Sequence, residues 1–201
     1  MNRTLAITAG VVGGILILAL LIIGWGVSVY NRIISVDEGV KSSWSQVENQ
    51  YQRRYDLVPN LVETVKGYAK QEKEVLENVT AARARVGQVT ITPQMLSDPQ
   101  AFAKFQQAQD GLGSALSRLL VVTENYPNLK SNENFLALQS QLEGTENRIS
   151  VERRRFNESV QEYNMMIRRF PGSFIASMTG FKEAAYFHAT SGAEQAPKVQ
   201  F

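Results

Sequence analysis

The sequence predicts an all-α protein in which an N-terminal transmembrane helix is followed by an elongated antiparallel helical bundle of three long helices plus a short C-terminal helix. Three observations carry that prediction. Residues 4–31 contain no charged side chain and are mostly Leu, Ile, Val, Gly and Ala, with Arg3 and Arg32 at the two ends. Beyond Arg32, apolar residues recur at steps of three and four over most of the chain, and no segment reads as a strand.

The uncharged run makes a helix about 42 Å long at about 1.5 Å per residue, against roughly 30 Å of hydrocarbon in a bilayer, enough for one crossing with a turn to spare. A cleavable secretory signal is the competing reading, but its apolar core is shorter and is closed by a small-x-small site that this run lacks. Trp25 and Tyr30 suit the aromatic belt at the headgroups, and Gly10 with Gly14 forms one Gly-x-x-x-Gly, a weak close-packing signal. Weighing Arg3 against Arg32 and Lys41 leans only slightly toward a cytoplasmic bundle.

The organisation read from this is an N-terminal segment and transmembrane helix at 1–31, a helical bundle domain at 32–188 and a disordered tail at 189–201. The chain has 21 Lys plus Arg against 19 Asp plus Glu, a formal +2, so no general attraction to nucleic acid is expected. No cysteine is present, which excludes a disulfide framework and cysteine-ligated metal sites.

The first bundle helix continues from the anchor. Ile33, Val36, Val40, Val47, Tyr51, Arg54, Val58, Leu61, Val65, Tyr68, Glu72, Leu76 and Val79 fall on one stripe, predicting a helix to about Arg85 with a kink or short break at 57–60, where Pro59 removes a backbone donor. Taken as about 50 residues, that helix is about 75 Å long. Residues 87–98 read as a connection. Asp98 followed by Pro99 then signals a capped start, predicting a second helix over 99–125 with Phe102, Phe105, Leu112, Leu116, Leu119 and Leu120 inward, stopped by Tyr126 and Pro127.

The third helix is predicted over 132–170, capped by Ser131 or Asn132. Its seam runs through Phe135, Leu138, Leu142, Thr145, Ile149, Glu152, Phe156, Val160, Tyr163, Ile167 and Phe170, a heptad pattern with one stutter at Phe156. Phe170 and Pro171 end it, and Gly172 with Ser173 turns the chain into a short fourth helix. That last segment is dense in large apolar residues and is a candidate interaction segment: Phe174, Ile175, Met178, Phe181 and Phe187. It either folds back to complete the core or presents a surface to another subunit, a partner or lipid.

Groups for chemistry are sparse. The sole histidine is His188, near the tail; Glu143 and Glu146 lack the Glu-x-x-His partner of helical di-metal sites; no serine has a histidine base. No catalytic residue, cofactor or metal site is therefore expected. Arg148, Arg153, Arg154, Arg155, Arg168 and Arg169 outnumber the nearby Glu152, Glu158 and Glu162, and read as a solvated, ion-pairing face unless that stretch lies near the bilayer.

The string Tyr51-Gln52-Arg53-Arg54-Tyr55-Asp56-Leu57-Val58-Pro59-Asn60-Leu61-Val62, with Val65-Lys66-Gly67-Tyr68, resembles the signature of the LemA family of bacterial membrane proteins. Further matches follow in order: Tyr126-Pro127-Asn128-Leu129-Lys130, Glu143-Gly144-Thr145-Glu146-Asn147-Arg148-Ile149, Arg155-Phe156-Asn157, Tyr163-Asn164, Phe170-Pro171 and Gly180-Phe181. Phe156 stands where many relatives have Tyr, and residues 87–100 carry no family motif. The resemblance implies a single-pass, N-terminally anchored protein of the bacterial cytoplasmic (inner) membrane, with an α-helical domain, no established catalytic residues and a short N-terminus outside the cytoplasm. A relative takes part in building magnetosome membranes.

Read physically, the matched residues favour structure. Arg53, Arg54, Tyr55, Asp56, Pro59 and Asn60 form a candidate structural or docking motif around the proline, Tyr55 and Tyr126 need partners for their polar tips, and Asn147, Asn157 and Asn164 are placed to fix register across the bundle. The function expected is a non-enzymatic, membrane-anchored helical scaffold that self-associates and organises or shapes the membrane or membrane proteins. The alternative is an adaptor or signalling accessory that binds one specific membrane partner. Membrane lipid, a second copy and other membrane proteins are the partners this implies; nucleic acid is not.

Overall fold

The computed structural model describes residues 3–89 and 92–188. Six α-helices and one 3-10 turn follow in order, and no strand occurs among the described residues. Helix α1 spans Arg3–Tyr68, α2 Lys73–Gly87, the 3-10 turn Pro93–Ser97, α3 Pro99–Thr123, α4 Pro127–Lys130, α5 Glu133–Arg168 and α6 Gly172–Thr179. The expected tail at 189–201 lies outside the described residues.

Helix α1 carries both the uncharged run and the bundle's first stripe without interruption over 66 residues, about 99 Å at the α-helical rise. It does not break at 57–60. It passes Pro59 and ends at Tyr68, where Ala69 to Glu72 turn the chain and α2 folds back along α1, bringing Arg83 to Tyr55. The bundle is accordingly shorter than a single helix to Arg85 would make it: the 36 residues of α5 set a length of about 54 Å.

The other boundaries follow the local chemistry. Asp98 caps α3 by accepting from the amides of Gln100 and Ala101 at 2.9 and 3.1 Å, with Pro99 in the first turn. Asn132 caps α5 by accepting from the Phe135 amide at 3.0 Å. Helix α6 is shorter than the apolar segment around it, because Gly180 adopts the left-handed conformation (φ 82°) that ends a helix, and residues 181–188 continue without helical structure. Gly172 is required at the α5–α6 corner, since a Cβ there would lie 2.0 Å from the Met166 carbonyl oxygen.

Helix α5 packs antiparallel along α1, from Asn132 beside Tyr68 to Phe170 beside Trp25, while α3 runs in the same direction as α1 and α2 against it. Two cores result. The one nearer the apolar run is built on rings: Trp44, Phe102, Phe105, Phe156 and Phe187 lie 4.8 to 6.4 Å apart, with Tyr51 joining Phe105. The distal one is mostly aliphatic, formed by Val58, Leu61, Val65, Val79, Leu112, Leu119, Leu129 and their neighbours. A polar layer separates them.

Candidate functional site

The polar layer is where the family-like motifs meet. Arg54 is 3% exposed and sits on the inward stripe of α1 between Tyr51 and Val58. Its Nη1 donates to both carboxylate oxygens of Glu146 at 2.9 and 3.2 Å, and its Nη2 donates to the Gln109 carbonyl and side-chain oxygen at 3.0 and 2.5 Å. Three helices are thereby tied at one level by a fully charged donor whose fork geometry permits few alternatives. Arg153 adds a second tie one turn nearer the aromatic core. Its Nε donates to the Tyr51 hydroxyl at 2.5 Å, its Nη2 to Asp110 at 3.0 Å, and its guanidinium stacks 4.7 Å from the Phe187 ring. Burial pushes the Tyr51 phenol pKa up, against the pull of Arg153 and Arg54, so the hydroxyl stays neutral.

The rest of the motif around Pro59 divides between structure and surface. Lacking an N–H, Pro59 leaves the Tyr55 carbonyl four residues earlier without its helical donor, and Arg83 of α2 fills the vacancy through Nε at 3.1 Å. The same guanidinium lies 3.8 Å from the Tyr55 ring centre. Arg53, Asp56 and Asn60 are exposed on one face of α1, with Asp56 accepting from Gln52 at 2.8 Å. Tyr126 donates to Glu72 at 2.8 Å, which joins the end of α3 to the α1–α2 turn.

Asn157 and Asn164 act on backbone, and their target is an extended segment rather than a helix. Asn164 Nδ2 donates to the Ala184 carbonyl while its Oδ1 accepts from the Ala184 amide, both at 2.9 Å. Asn157 does the same for Phe187 at 3.0 and 2.9 Å, and Gln106 of α3 does so for His188 at 2.7 and 3.3 Å. Seven helical residues rise about 10.5 Å and three extended residues about 10 Å, so the Asn157–Asn164 spacing matches the Phe187–Ala184 spacing run in reverse. Tyr163 adds a donated bond to the Lys182 carbonyl at 2.9 Å, and the Ala185 amide donates to Leu96 at 2.8 Å. Asn147 is exposed.

The apolar segment is divided likewise. Phe187 is buried in the aromatic core, Ile175 and Phe181 pack partly buried against it, and Phe174 and Met178 face outward. His188 is exposed beside Arg153, Arg154 and Glu158. Among the described residues no cluster of His, Asp and Glu is arranged to hold a metal ion.

Gln109, Asp110, Arg83 and Gln106 were not singled out from the sequence. For Gln109 a signal existed: Phe102, Phe105, Gln109, Leu112, Leu116 and Leu119 step by three and four, which puts a polar residue on a buried stripe.

A membrane-associated, all-α protein is what this architecture defines: one helix long and apolar enough to cross a bilayer, continuous with a bundle keyed by buried polar contacts. The chain belongs to the LemA family, whose model matches residues 43–201. It is similar to the magnetosome protein MamQ of Magnetospirillum gryphiswaldense, at 30% identity over 175 residues, covering 79% of this chain and 64% of that protein. The MamQ 2 protein of Paramagnetospirillum magneticum is 28% identical over 174 residues with the same coverage, so the chain spans somewhat under two thirds of these relatives' length. The LemA protein of Metamycoplasma hominis is 21% identical over 160 residues, covering 80% of this chain and 69% of the relative.

Proposed function

We propose that this chain is a non-enzymatic, single-pass scaffold of the bacterial inner membrane that self-associates through its bundle and organises or shapes the membrane or the proteins on it, with the bundle in the cytoplasm. The observation that carries the reading is the continuity of α1. The uncharged run and the first core stripe belong to one helix, so there is no hinge at the membrane and the orientation of the anchor sets that of the bundle. A rod held this way works by contact and shape, and similarity to proteins named for the magnetosome supports a role in membrane organisation.

Crosslinking of the full-length chain in its native membrane, followed by sizing in mild detergent, tests this. A ladder of homo-oligomers that survives dilution is expected. A strict monomer in both experiments would sink the scaffold reading.

An adaptor reading is favoured by one feature at the far tip. A groove of about 790 Å³ between α1 and α2 is lined by the apolar Val62, Leu76, Ala81 and Ala84 and by charges of both signs, with Lys66 paired to Glu63, Lys73 to Glu77, and Lys70 beside them. Such a groove suits the apolar face of an amphipathic helix of a membrane partner, with Lys70 and Lys73 at its edge. Affinity purification from membranes distinguishes the readings: a discrete complex of fixed stoichiometry, lost on Lys70→Glu with Lys73→Glu while the bundle stays folded, points to the adaptor.

A further inference from the structure

Helix α6 has two faces and only one is used by the bundle. Ala176 is buried and Ile175 lies beside Gly26 of α1, while Phe174 and Met178, four residues apart on the other face, are 60% and 70% exposed and Phe170, in the turn just before α6, is 81% exposed. These three lie in an uncharged stretch, residues 170–181, which is preceded by Arg168 and Arg169 and followed by Lys182. That pattern is a short copy of the anchor's own: apolar side chains between basic ends.

The height of this stretch along α1 says what it meets. Phe170 packs 6.4 Å from Trp25, Ile175 lies beside Gly26 with its Cδ1 4.0 Å from where a Cβ there would stand, and Phe181 packs 5.9 Å from Tyr30, all within the uncharged run that ends before Arg32. With Arg32 at the level of the lipid phosphates, Trp25 sits about 10 Å deeper, and an interfacial amphipathic helix lies about 5–10 Å into that boundary. The anchor independently allows this. Its 28 uncharged residues exceed by about eight the roughly 20 that hydrocarbon requires, leaving the level of α6 at the boundary layer. The chain advances from Phe170 to Phe181 while its contacts on α1 move only from Trp25 to Tyr30, about 7.5 Å, so this stretch runs across the anchor more than along it.

We infer that α6 is a second membrane contact: a foot whose Phe170, Phe174 and Met178 enter the acyl boundary of the leaflet from which α1 emerges, with Arg32, Arg168 and Arg169 at the phosphates. The occupant of the exposed face is bilayer lipid. The foot beside the anchor fixes rotation of the bundle about α1 as well as its tilt, which a single crossing does not. It also adds wedge volume to one leaflet only. This inference rests on the reading that α1 crosses the bilayer through its uncharged run.

The absence of cysteine allows a direct test with the full-length chain. Met178→Cys, Leu18→Cys and Leu136→Cys, each labelled with an environment-sensitive fluorophore, are reconstituted in vesicles of phosphatidylethanolamine and phosphatidylglycerol containing nitroxide at a shallow or a deep acyl position. Position 178 is expected to emit to the blue of 136 and to be quenched roughly twofold by the shallow nitroxide, with 18 quenched by the deep one and 136 by neither. A label at 178 that reports water while 18 is quenched overturns the foot and leaves the anchor standing. Blue-shifted emission at 178 without quenching by either lipid means protein covers the face, and also overturns it. An unquenched label at 18 removes the anchor reading, and the foot with it.

Discussion

At the scale of single residues, neighbours in sequence have opposite fates. Arg53 is exposed, whereas Arg54 is buried with its charge held by Glu146 and Gln109. Glu146 is 42% exposed and keeps water when Arg54 is removed, so the cost comes from the lost charge-assisted bonds and from the Gln109 oxygens left without a donor, about 1–3 kcal/mol, while most exposed substitutions stay within about 0.5 kcal/mol. Thermal melts followed by helical circular dichroism should therefore show Arg54→Ala strongly destabilised and Arg53→Ala unchanged. Equal effects at the two positions would refute the assignment. Arg54 was legible in the sequence to the extent that it falls on the inward stripe; its partners were not, because Gln109 and Glu146 lie on helices whose register no local pattern determines. Tyr163 gives a pH prediction. Burial first, then Asp37, raises its phenol from 10.0 to about 12, and its hydroxyl donates to Lys182. The proton held in the folded chain contributes stability that is whole below pH 10 and is lost as pH rises through about 12. The wild type should lose more stability than Tyr163→Phe across that window.

At the scale of elements, the helical boundaries set by caps were readable and the reversal between α1 and α2 was not. Asp98-Pro99 and Asn132 announce their helices with side-chain oxygens and a pre-set φ. The turn at residues 69–72 contains neither glycine nor proline, and the apolar stripe of α1 resumes in phase at Leu76 and Val79, so the pattern looked like one helix across the break. Pro59, the obvious breaker, is tolerated because Arg83 supplies the donor that the proline lacks. That exchange is measurable as a double-mutant cycle. Arg83→Ala alone should cost about 1–2 kcal/mol, the penalty of a partly buried acceptor left without its donor plus the lost stacking on Tyr55. In a Pro59→Ala background the restored N–H satisfies the Tyr55 carbonyl, so the cost of Arg83→Ala should shrink by at least about 0.5 kcal/mol, read in urea melts. Additive costs would mean that the proline and the arginine are uncoupled. Seen this way, part of the family signature encodes a repaired helix. The asparagine clamp belongs to the same scale: Asn164→Leu should accelerate amide exchange at Ala184 by well over tenfold and leave the amides of α3 unaffected.

At the scale of the whole molecule, the division between lipid-facing and bundle-facing surface falls within α1, near Arg32. Upstream of it the large apolar side chains from Ile7 to Val27 are mostly exposed, and downstream the first fully buried residue is Ile33. Trp25 and Tyr30 meet the α5–α6 corner and the segment just after it, and Val29 packs at the edge of the aromatic core. A chain beginning at Arg32 therefore loses Val29 from the edge of the aromatic core but keeps the buried residues of both cores, the Arg54 layer and the clamp on residues 181–188, and should remain helical with a cooperative melt. It should not remain monomeric. Without the anchor, Ile175 and Phe181 lose their contacts on α1 and join Phe170, Phe174 and Met178 in one exposed apolar patch, of the size that drives association of soluble proteins. Sedimentation of the shortened chain should show concentration-dependent association that mild detergent or Phe174→Ser with Met178→Ser reverses, the helical content being the same in each case. A monomer without those substitutions would mean that the corner refolds to hide its apolar side chains, and loss of the cooperative melt would mean that the anchor is part of what folds the bundle.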